Sequence, residues 1–454
     1  MSRFAKKKEK IDEAKIFKSK NNKTFSLLRG MKDVLPDEYK YWNLISRKGN
    51  ELAKAYGFKR IDTPILENLG LYERSTGKTS DIVIKEMFSF TDKNDDKIAL
   101  RPEATPSIVR SYIEHGMFNL PQPVKFFWMG PVFRHDKPQA GRFRQFNQID
   151  FECIGEANAV ADAQLILIAY NFFKELQVDI IIQINSIGCP ECRKEYIKKL
   201  EDYYKERGKR AKLCNDCKKR LGRNSLRLLD CKEKQCIAIS VEAPQIIDYL
   251  CEECKNHFIK VLEYLDEVGV SYNLNSYLVR GLDYYNRTVF EIWPADIEDN
   301  NTENSRQLAL GGGGRYDGLI EYLGGRPTQA CGFGIGVERI ILKIKEKNIL
   351  LKEENRADIF IAQLGDQAKR KAMVLFEELR RIGLQVQQDF TKDNLKNQLE
   401  TADKLGVKYS LILGQKEIID GTILIRDMES GIQEVIDYKK IVQEITKRLN
   451  NENK

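Results

Sequence analysis

Eight of the ten cysteines fall between residues 189 and 254, as Cys189 with Cys192, Cys214 with Cys217, Cys231 with Cys236, and Cys251 with Cys254. Three of these pairs have C-x-x-C spacing, which lets two thiolates reach one tetrahedral zinc ion. The alternative is a set of reduced thiols in a small subdomain, and spacing alone leaves the pairing open. A second pattern is Gly332, Gly334 and Gly336, alternating with Phe333, Ile335 and Val337. In a strand these glycines share one face and leave a flat backbone surface for a planar ring. A third is Gln148, Asp150 and Glu152, alternating with Ile149, Phe151 and Cys153. An amide and two carboxylates then share a face, turned either to solvent or to a ligand. The three histidines, His115, His135 and His257, are too few to favour an imidazole-based triad; His257 is a further candidate metal ligand.

Charge is uneven along the chain. Of the net +8, residues 1–25 carry +6 and residues 189–234 carry +8, leaving a mildly acidic remainder. Local basic patches of this kind suit a phosphate backbone, although a solvated Lys tail explains the first equally well. At 42% hydrophobic and 31% charged residues, 454 residues can build several cores, which excludes wholesale disorder. Apolar runs are too short for a membrane span, and no secretory or transit segment is read at the start. A cytoplasmic location without disulfides is therefore expected.

The elements that must position these residues follow from periodicity. Asp37 caps a helix that runs to about Tyr56, and Phe58–Leu66 reads as an edge strand because it contains Pro64. Lys125–Arg134 and Arg144–Gly155 form a long hairpin with a polar tip, His135–Phe143. A helix within 156–185 leads to a strand at Val178–Asn185. The Cys-rich insertion occupies 188–270. Strands are then expected at Tyr277–Ile292 and Gln307–Gly311, flanking an acidic, Asn-rich loop at 295–305, and Ile340–Lys347 is a helix. After a linker at 348–357 the rhythm becomes β-α-β-α-β: Asp358–Leu364, Gln367–Ile382, Leu384–Gln388, Leu395–Leu405 and Tyr409–Leu413. Strands Thr422–Arg426 and Ile432–Ile436 and a closing helix complete a separate α/β domain.

Six stretches carry a resemblance. Gly57–Glu67 looks like motif 1 of a class II aminoacyl-tRNA synthetase. Arg134 with the Arg142–Gln145 return resembles motif 2, and Gly332–Arg339 resembles motif 3. Arg101-Pro102-Glu103-Ala104-Thr105, Arg280-Gly281-Leu282-Asp283-Tyr284-Tyr285 and Gly313-Gly314-Arg315-Tyr316-Asp317-Gly318 are similar to the signatures of histidyl-tRNA synthetases, here of the bacterial type with a Cys-rich insertion. The resemblance spans about 26–449. It implies an α+β catalytic domain on a mainly antiparallel sheet (26–187 and 271–347), interrupted by the small insertion and followed by an anticodon-binding domain at 358–449.

The same resemblance implies roles. Arg134 and Arg280 would act on the α-phosphate of ATP and Arg339 toward the γ-phosphate, a task suited to the planar, permanently charged guanidinium. Glu103, Ala104 and Thr105 with Gln148 would take the amino-acid backbone. Glu152 and Tyr285, flanked by Tyr284 and Tyr316, would take the imidazole. Gly332, Gly334 and Gly336 with Phe143 would hold adenine, and Gln139, Arg142 and Arg144 would meet the tRNA acceptor end. The implied partners are L-histidine, ATP with Mg2+, tRNA(His) and a second copy of the chain through the motif 1 region. Two competing readings are a catalytically silent regulatory relative, the partner of a short ATP phosphoribosyltransferase, and a zinc-dependent nucleic-acid-binding protein. The first typically lacks the anticodon domain and the motif arginines; the second gives Arg280–Tyr285 no task.

Overall fold

The computed structural model describes residues 25–77, 80, 82–295, 309–351 and 357–452. The Lys-rich extension, most of the acidic loop and part of the linker lie outside the described residues. The chain divides into two units, Met1–Ile349 and Leu350–Lys454.

In the first unit eleven strands are described: β1 Lys59–Arg60, β2 Leu66–Asn68, β3 Ser89–Thr91, β4 Lys97–Leu100, β5 Val124–Phe133, β6 Gln145–Ile154, β7 Ile180–Ser186, β8 Tyr272–Leu274, β9 Asn286–Pro294, β10 Gly311–Arg315 and β11 Ala330–Gly336. Eight form one sheet in the order β1-β5-β6-β11-β10-β9-β7-β8. Only the edge pairs β1–β5 and β7–β8 are parallel. Its apolar face is an aromatic core: Phe151 and Phe333 stack at 5.3 Å, with Phe58 and Phe127 each 5.1 Å from Phe151. The helices Tyr39–Ala55 and Ala159–Glu175 pack under this face, Gly49 letting the first approach the Phe127 ring.

The register unites two sequence patterns. Across β6 and β11, Gln148 pairs with Gly336, Asp150 with Gly334 and Glu152 with Gly332. Directly opposed residues point to the same face, so the polar side chains of one strand lie over the bare glycines of the next. A Cβ at Gly332 would overlap the Glu152 carboxylate, and one at Gly334 would overlap Asp150. That face is therefore not simply flat, because carboxylates occupy the room the glycines leave.

Two expected strands are displaced, each for a local reason. Phe58–Leu66 is split into β1 and β2 with Pro64 between them, as a residue without an N–H requires. Residues 277–285 are irregular, because the Asn185 side-chain amide donates to the carbonyls of Ser276 (3.3 Å) and Leu278 (3.0 Å). Of the strand expected at Gln307–Gly311, residues 307 and 308 lie outside the described residues; the described strand is Gly311–Arg315, where glycines admit the backbones of β9 and β11 too closely for a Cβ.

A smaller sheet, β2-β4-β3, precedes the helix Thr105–Glu114. The insertion is helical: Pro190–Lys205, Arg207–Lys212, Asn215–Arg220, Lys234–Ser240 and Glu252–Glu267. In the second unit, strands β12 Ile359–Gln363, β13 Val386–Gln388, β14 Tyr409–Leu413, β15 Thr422–Asp427 and β16 Gln433–Asp437 run in the order β13-β12-β14-β15-β16. Alternate residues of β12 bury on opposite faces: Ile359 and Ile361 toward the helices Asp366–Arg381 and Ile441–Glu452, Phe360 and Ala362 toward Leu395–Leu405. A short helix, Gln415–Asp420, was not anticipated from the periodicity.

Candidate active site

A cavity of about 470 Å³ opens on the polar face of the large sheet. Its cations come from separate elements. Arg134, just past β5, donates from Nε to the Pro102 carbonyl at 2.8 Å and lies over the Phe146 ring. Arg280, in the irregular segment before β9, pairs through Nη1 with Glu291 Oε1 at 2.5 Å and lies over Tyr285. A side chain at Gly312 would collide with it. Arg339, in the helix Val337–Glu346, donates from Nε to the Gly141 carbonyl at 3.1 Å and from Nη1 to that of Ala309. Burial, then the neighbouring Arg142 and Arg134, hold the Arg339 guanidinium down at about 10. Like charges gathered against their mutual repulsion mark a site built for an anion.

The cavity also holds acceptors. Glu103 Oε2 accepts from the Tyr284 hydroxyl at 2.7 Å, while Glu103 Oε1, Gln148 Oε1 and Asp150 Oδ1 are buried without a hydrogen-bond partner. Burial pushes the Glu103 carboxyl up to about 7, against the pull of Tyr284, Arg134 and Arg280. Burial and then the charges of Glu152 and Glu103 drive Asp150 well above the ordinary carboxylate range. Unpaired buried acceptors are costly, and three in one cavity match the three donors of an ammonium group.

Behind them, Glu152 is 1% exposed and accepts from Thr105 Oγ1 at 2.6 Å and from the Tyr316 hydroxyl. Burial raises it to about 8 despite those two hydroxyls. Tyr284 and Tyr285 lie ring to ring at 4.7 Å, and Tyr316 meets Tyr284 at 5.7 Å.

Of the residues named from sequence, Glu103, Thr105, Arg134, Phe143, Gln148, Arg280, Tyr284, Tyr285, Gly334, Gly336 and Arg339 line this cavity, and Arg142 joins them from the hairpin tip. Glu152, Tyr316 and Gly332 form a layer beneath it. Ala104 is fully buried in the core. Gln139 and Arg144 stand outside the cavity: Gln139 is exposed at the tip, and the Arg144 chain packs against Gly30. The eight insertion cysteines form two groups, Cys189, Cys192, Cys251 and Cys254, and Cys214, Cys217, Cys231 and Cys236, each able to hold a metal ion. His257 joins neither; its Nε2 lies 3.3 Å from Asp162 Oδ2.

Several lining residues had no role in the sequence reading. Glu291 orients Arg280 from across a turn. Asp150 lies on the polar face of β6, where the alternation puts it, and the resemblance gives it no role. Glu338 accepts from the Asn147 backbone at 2.9 Å and its side-chain amide at 3.0 Å, tying the helix of Arg339 to β6. Arg220 and Arg227 reach the cavity from the insertion; the basic patch there, Lys218, Lys219 and Arg220, is expected from sequence to meet the tRNA acceptor arm, whereas Arg227 carries no expectation of its own.

A family model for histidyl-tRNA synthetase matches residues 30–191 and 223–340, and one for an anticodon binding domain matches 358–448. A histidine–tRNA ligase from Dehalococcoides mccartyi is 44% identical over 422 residues, 93% of this chain and 99% of that one. The apo histidyl-tRNA synthetase of S. aureus superimposes with a TM-score of 0.77 at 35% identity, over 93% of this chain and 100% of that chain. A Bacillus halodurans protein described as an ATP phosphoribosyltransferase regulatory subunit/histidyl-tRNA synthetase gives 0.60 at 22% identity, covering 86% of this chain and 98% of its own, a likeness of fold alone. On this footing the chain belongs to the histidyl-tRNA synthetase family.

Proposed function

We propose that the chain is a histidine–tRNA ligase. It activates L-histidine with ATP to histidyl-adenylate and pyrophosphate, then passes histidine to the 3′ end of tRNA(His). The observation that carries this reading is one cavity holding three unpartnered acceptors beside converging guanidinium groups. An amino acid presents both complements: its ammonium faces Glu103, Gln148 and Asp150, with Thr105 beside them, and its carboxylate faces Arg134 and Arg280. That carboxylate attacks the α-phosphorus of ATP, which enters as its magnesium complex. The new P–O bond forms as the bond to the β-phosphate breaks, and pyrophosphate departs toward Arg339. Charge grows on phosphoryl oxygens throughout, so fixed cations supply the main stabilisation.

Each Glu152 oxygen keeps a second lone pair after its hydroxyl partner, so an imidazole N–H can join Thr105 or Tyr316 there, with Tyr285 alongside. A side chain without that N–H leaves the acceptor short of a donor, which is the basis of discrimination. Adenine is assigned to the Gly334–Gly336 backbone and Phe143. In the transfer step the terminal ribose hydroxyl attacks the anhydride carbonyl and AMP leaves, the hydroxyl proton passing to the departing phosphate. Among the described residues no histidine lines the cavity to take it.

Arg142, with Gln139 and Arg144 at the tip, is proposed to meet the acceptor end of the tRNA, and 358–449 its anticodon. The proposed division keeps 26–187 and 271–347 as the catalytic part, 188–270 as the insertion and 348–357 as the linker. A homodimer through the motif 1 region is supported by the open edge of β1 and by Ile65 and Leu66, 42% and 46% exposed beside it. No helix among the described residues is long and apolar enough to cross a membrane, and the reaction belongs in the cytoplasm with its tRNA. The insertion is proposed to carry structural zinc. Pyrophosphate exchange into ATP, run with each of the twenty amino acids and no tRNA, tests the reading. Exchange with histidine alone, lost in Arg280→Ala, is expected; exchange with none, from folded protein that still binds histidine, would overturn it.

A further inference from the structure

The cysteines divide without remainder into two fours, and within each four the ligating sulfurs lie within 4.8 Å of one another. Zinc–sulfur bonds of about 2.3 Å set tetrahedral sulfurs about 3.8 Å apart. Here Cys189 and Cys192 sulfurs are 3.5 Å apart and those of Cys214 and Cys231 are 3.8 Å apart, too far for a disulfide and right for a shared ion. Each C-x-x-C pair starts a helix, with the first cysteine as N-cap and the second in the first turn. Backbone N–H groups already donate to the sulfurs: Cys251 to Cys192 at 3.1 Å and Cys214 to Cys236 at 3.3 Å. Such donors support thiolates rather than thiols.

The geometry points to two tetrathiolate zinc sites with different tasks, a reading that rests on the zinc proposed above and extends it to the catalytic cavity. The first site, Cys189, Cys192, Cys251 and Cys254, closes the insertion by joining the starts of its first and last helices. Beside Cys192, Arg193 donates from Nη1 to the Tyr285 carbonyl at 2.9 Å, so this ion anchors one wall of the cavity. The second site, Cys214, Cys217, Cys231 and Cys236, brackets the segment that bears Arg220 and Arg227. Both arginines line the main cavity and also an adjoining cleft of about 240 Å³, where Lys219 and Arg223 join them. The segment is docked on the loop of Arg280: Asn224 donates to Asp283 at 2.9 Å, and a Cβ at Gly281 would meet Arg227 Nη1 at 2.9 Å. The second ion is thus a positioning device that holds a cationic wall against phosphate oxyanions, whether of ATP or of the tRNA end. Its ligands are positioning residues, not catalytic ones. Soft thiolates select zinc over magnesium here.

The test uses the full chain, purified without chelator. Two zinc ions per chain are expected in the parent and one in either Cys236→Ser or Cys254→Ser; no zinc, or an unchanged content in both variants, would overturn the assignment. Cobalt substitution should add thiolate-to-metal charge-transfer bands for two tetrahedral sites. Arg227→Gln keeps both ions and guards against a variant that merely misfolds. Cys236→Ser and Arg227→Gln should each raise KM for ATP in exchange, or KM for tRNA in aminoacylation at saturating ATP, by roughly tenfold to a hundredfold. The histidine KM should move instead in Cys254→Ser. The first two assays separate the two phosphate sources, and unchanged values in both would refute the positioning role. Metal content is read without activity. Two ions with no exchange would sink the ligase reading alone, and full histidine exchange with no zinc would sink the metal sites alone.

Discussion

Beneath Glu152 and Gly332 the rings of Phe151 and Phe333 stack, and ten ladder positions of β5 and β6 set the height of every polar group above them. The basic segment facing that sheet is built from shorter pieces: its helices Asn215–Arg220 and Lys234–Ser240 are six and seven residues long and pack with Tyr204, Leu213, Leu228 and Ile239. Helices of that length do not persist unaided, and the buried residues around them include Cys217 and Cys236 themselves. One wall of the cavity is held by aromatic packing and strand register; the other, the proposed sulfur-held wall, rests on short helices over buried side chains that include the cysteines. The packed wall is fixed once folded, whereas on the zinc proposal the sulfur-held wall is conditional on an ion, so the two should fail under different insults.

The most damaging change falls on the packed wall. Arg280→Ala should cut histidine-dependent exchange by about 10² to 10³-fold, the loss seen when a fixed transition-state donor is removed, with some fall in melting temperature because Glu291 loses its cation. Steady-state exchange beside a thermal melt checks it. Next, Gly332→Ala forces a methyl into the Glu152 carboxylate and should cost about 1–3 kcal/mol in denaturant unfolding, with a raised histidine KM. The same substitution at Gly208, where a Cβ meets nothing within 4 Å and φ is not positive, leaves Glu152 in place and should spare that KM.

A milder perturbation is pH. Glu103 and Glu152 have folded values of about 7 and about 8, above the ordinary 4.5. The folded state therefore holds more protons between these limits, so stability from these groups is full below about 4.5 and lost as pH rises through 7 to 8. The ligand-free melting temperature should fall across that window, and less so in a Glu103→Gln, Glu152→Gln double variant. Because an ammonium needs Glu103 ionised, histidine KM should rise by up to about tenfold per unit below pH 7, and Glu103→Gln should flatten that slope relative to the parent. The smallest effect belongs to the hairpin tip. Gln139→Ala should leave exchange unchanged and weaken tRNA binding by less than about 0.5 kcal/mol, whereas Arg142→Ala, inside the cavity, should lower both.

Much of the packed wall was legible because strands have a period of two. That period put Gln148, Asp150 and Glu152 on one side and the three glycines on one side, although only the β6–β11 register showed that the two sides coincide. The resemblance named Arg134, Arg280 and Arg339, but nothing local linked Arg280 to Glu291, since their meeting depends on the irregular 277–285 segment that reads as strand. Asp150 lacked a role for a related reason: whether a carboxylate is buried without a partner is decided by neighbours distant in sequence. The sulfur-held wall was legible only as a composition. C-x-x-C spacing announces ligands, while the division into two fours needs Cys231 and Cys236, whose spacing differs, to be brought to Cys214 and Cys217 in space.

Arg315 has a consequence for how the chain comes into being. It is fully buried, pairs with Asp162, and donates to the carbonyls of Glu156 and Asn158 at 2.8 and 3.2 Å. Asp162 stands 153 residues earlier and is also buried, with His257 of the last insertion helix 3.3 Å away. During synthesis, then, the helix Ala159–Glu175 and the whole insertion emerge before the cation that neutralises Asp162 exists. A carboxylate sealed away without its partner is strongly disfavoured, so the first half of the sheet must wait for β10 before it can close. Although residues 26–187 contain a complete hairpin and its supporting helices, they are not a unit of birth: the catalytic part cannot close before Arg315 leaves the ribosome, with β11 still to follow.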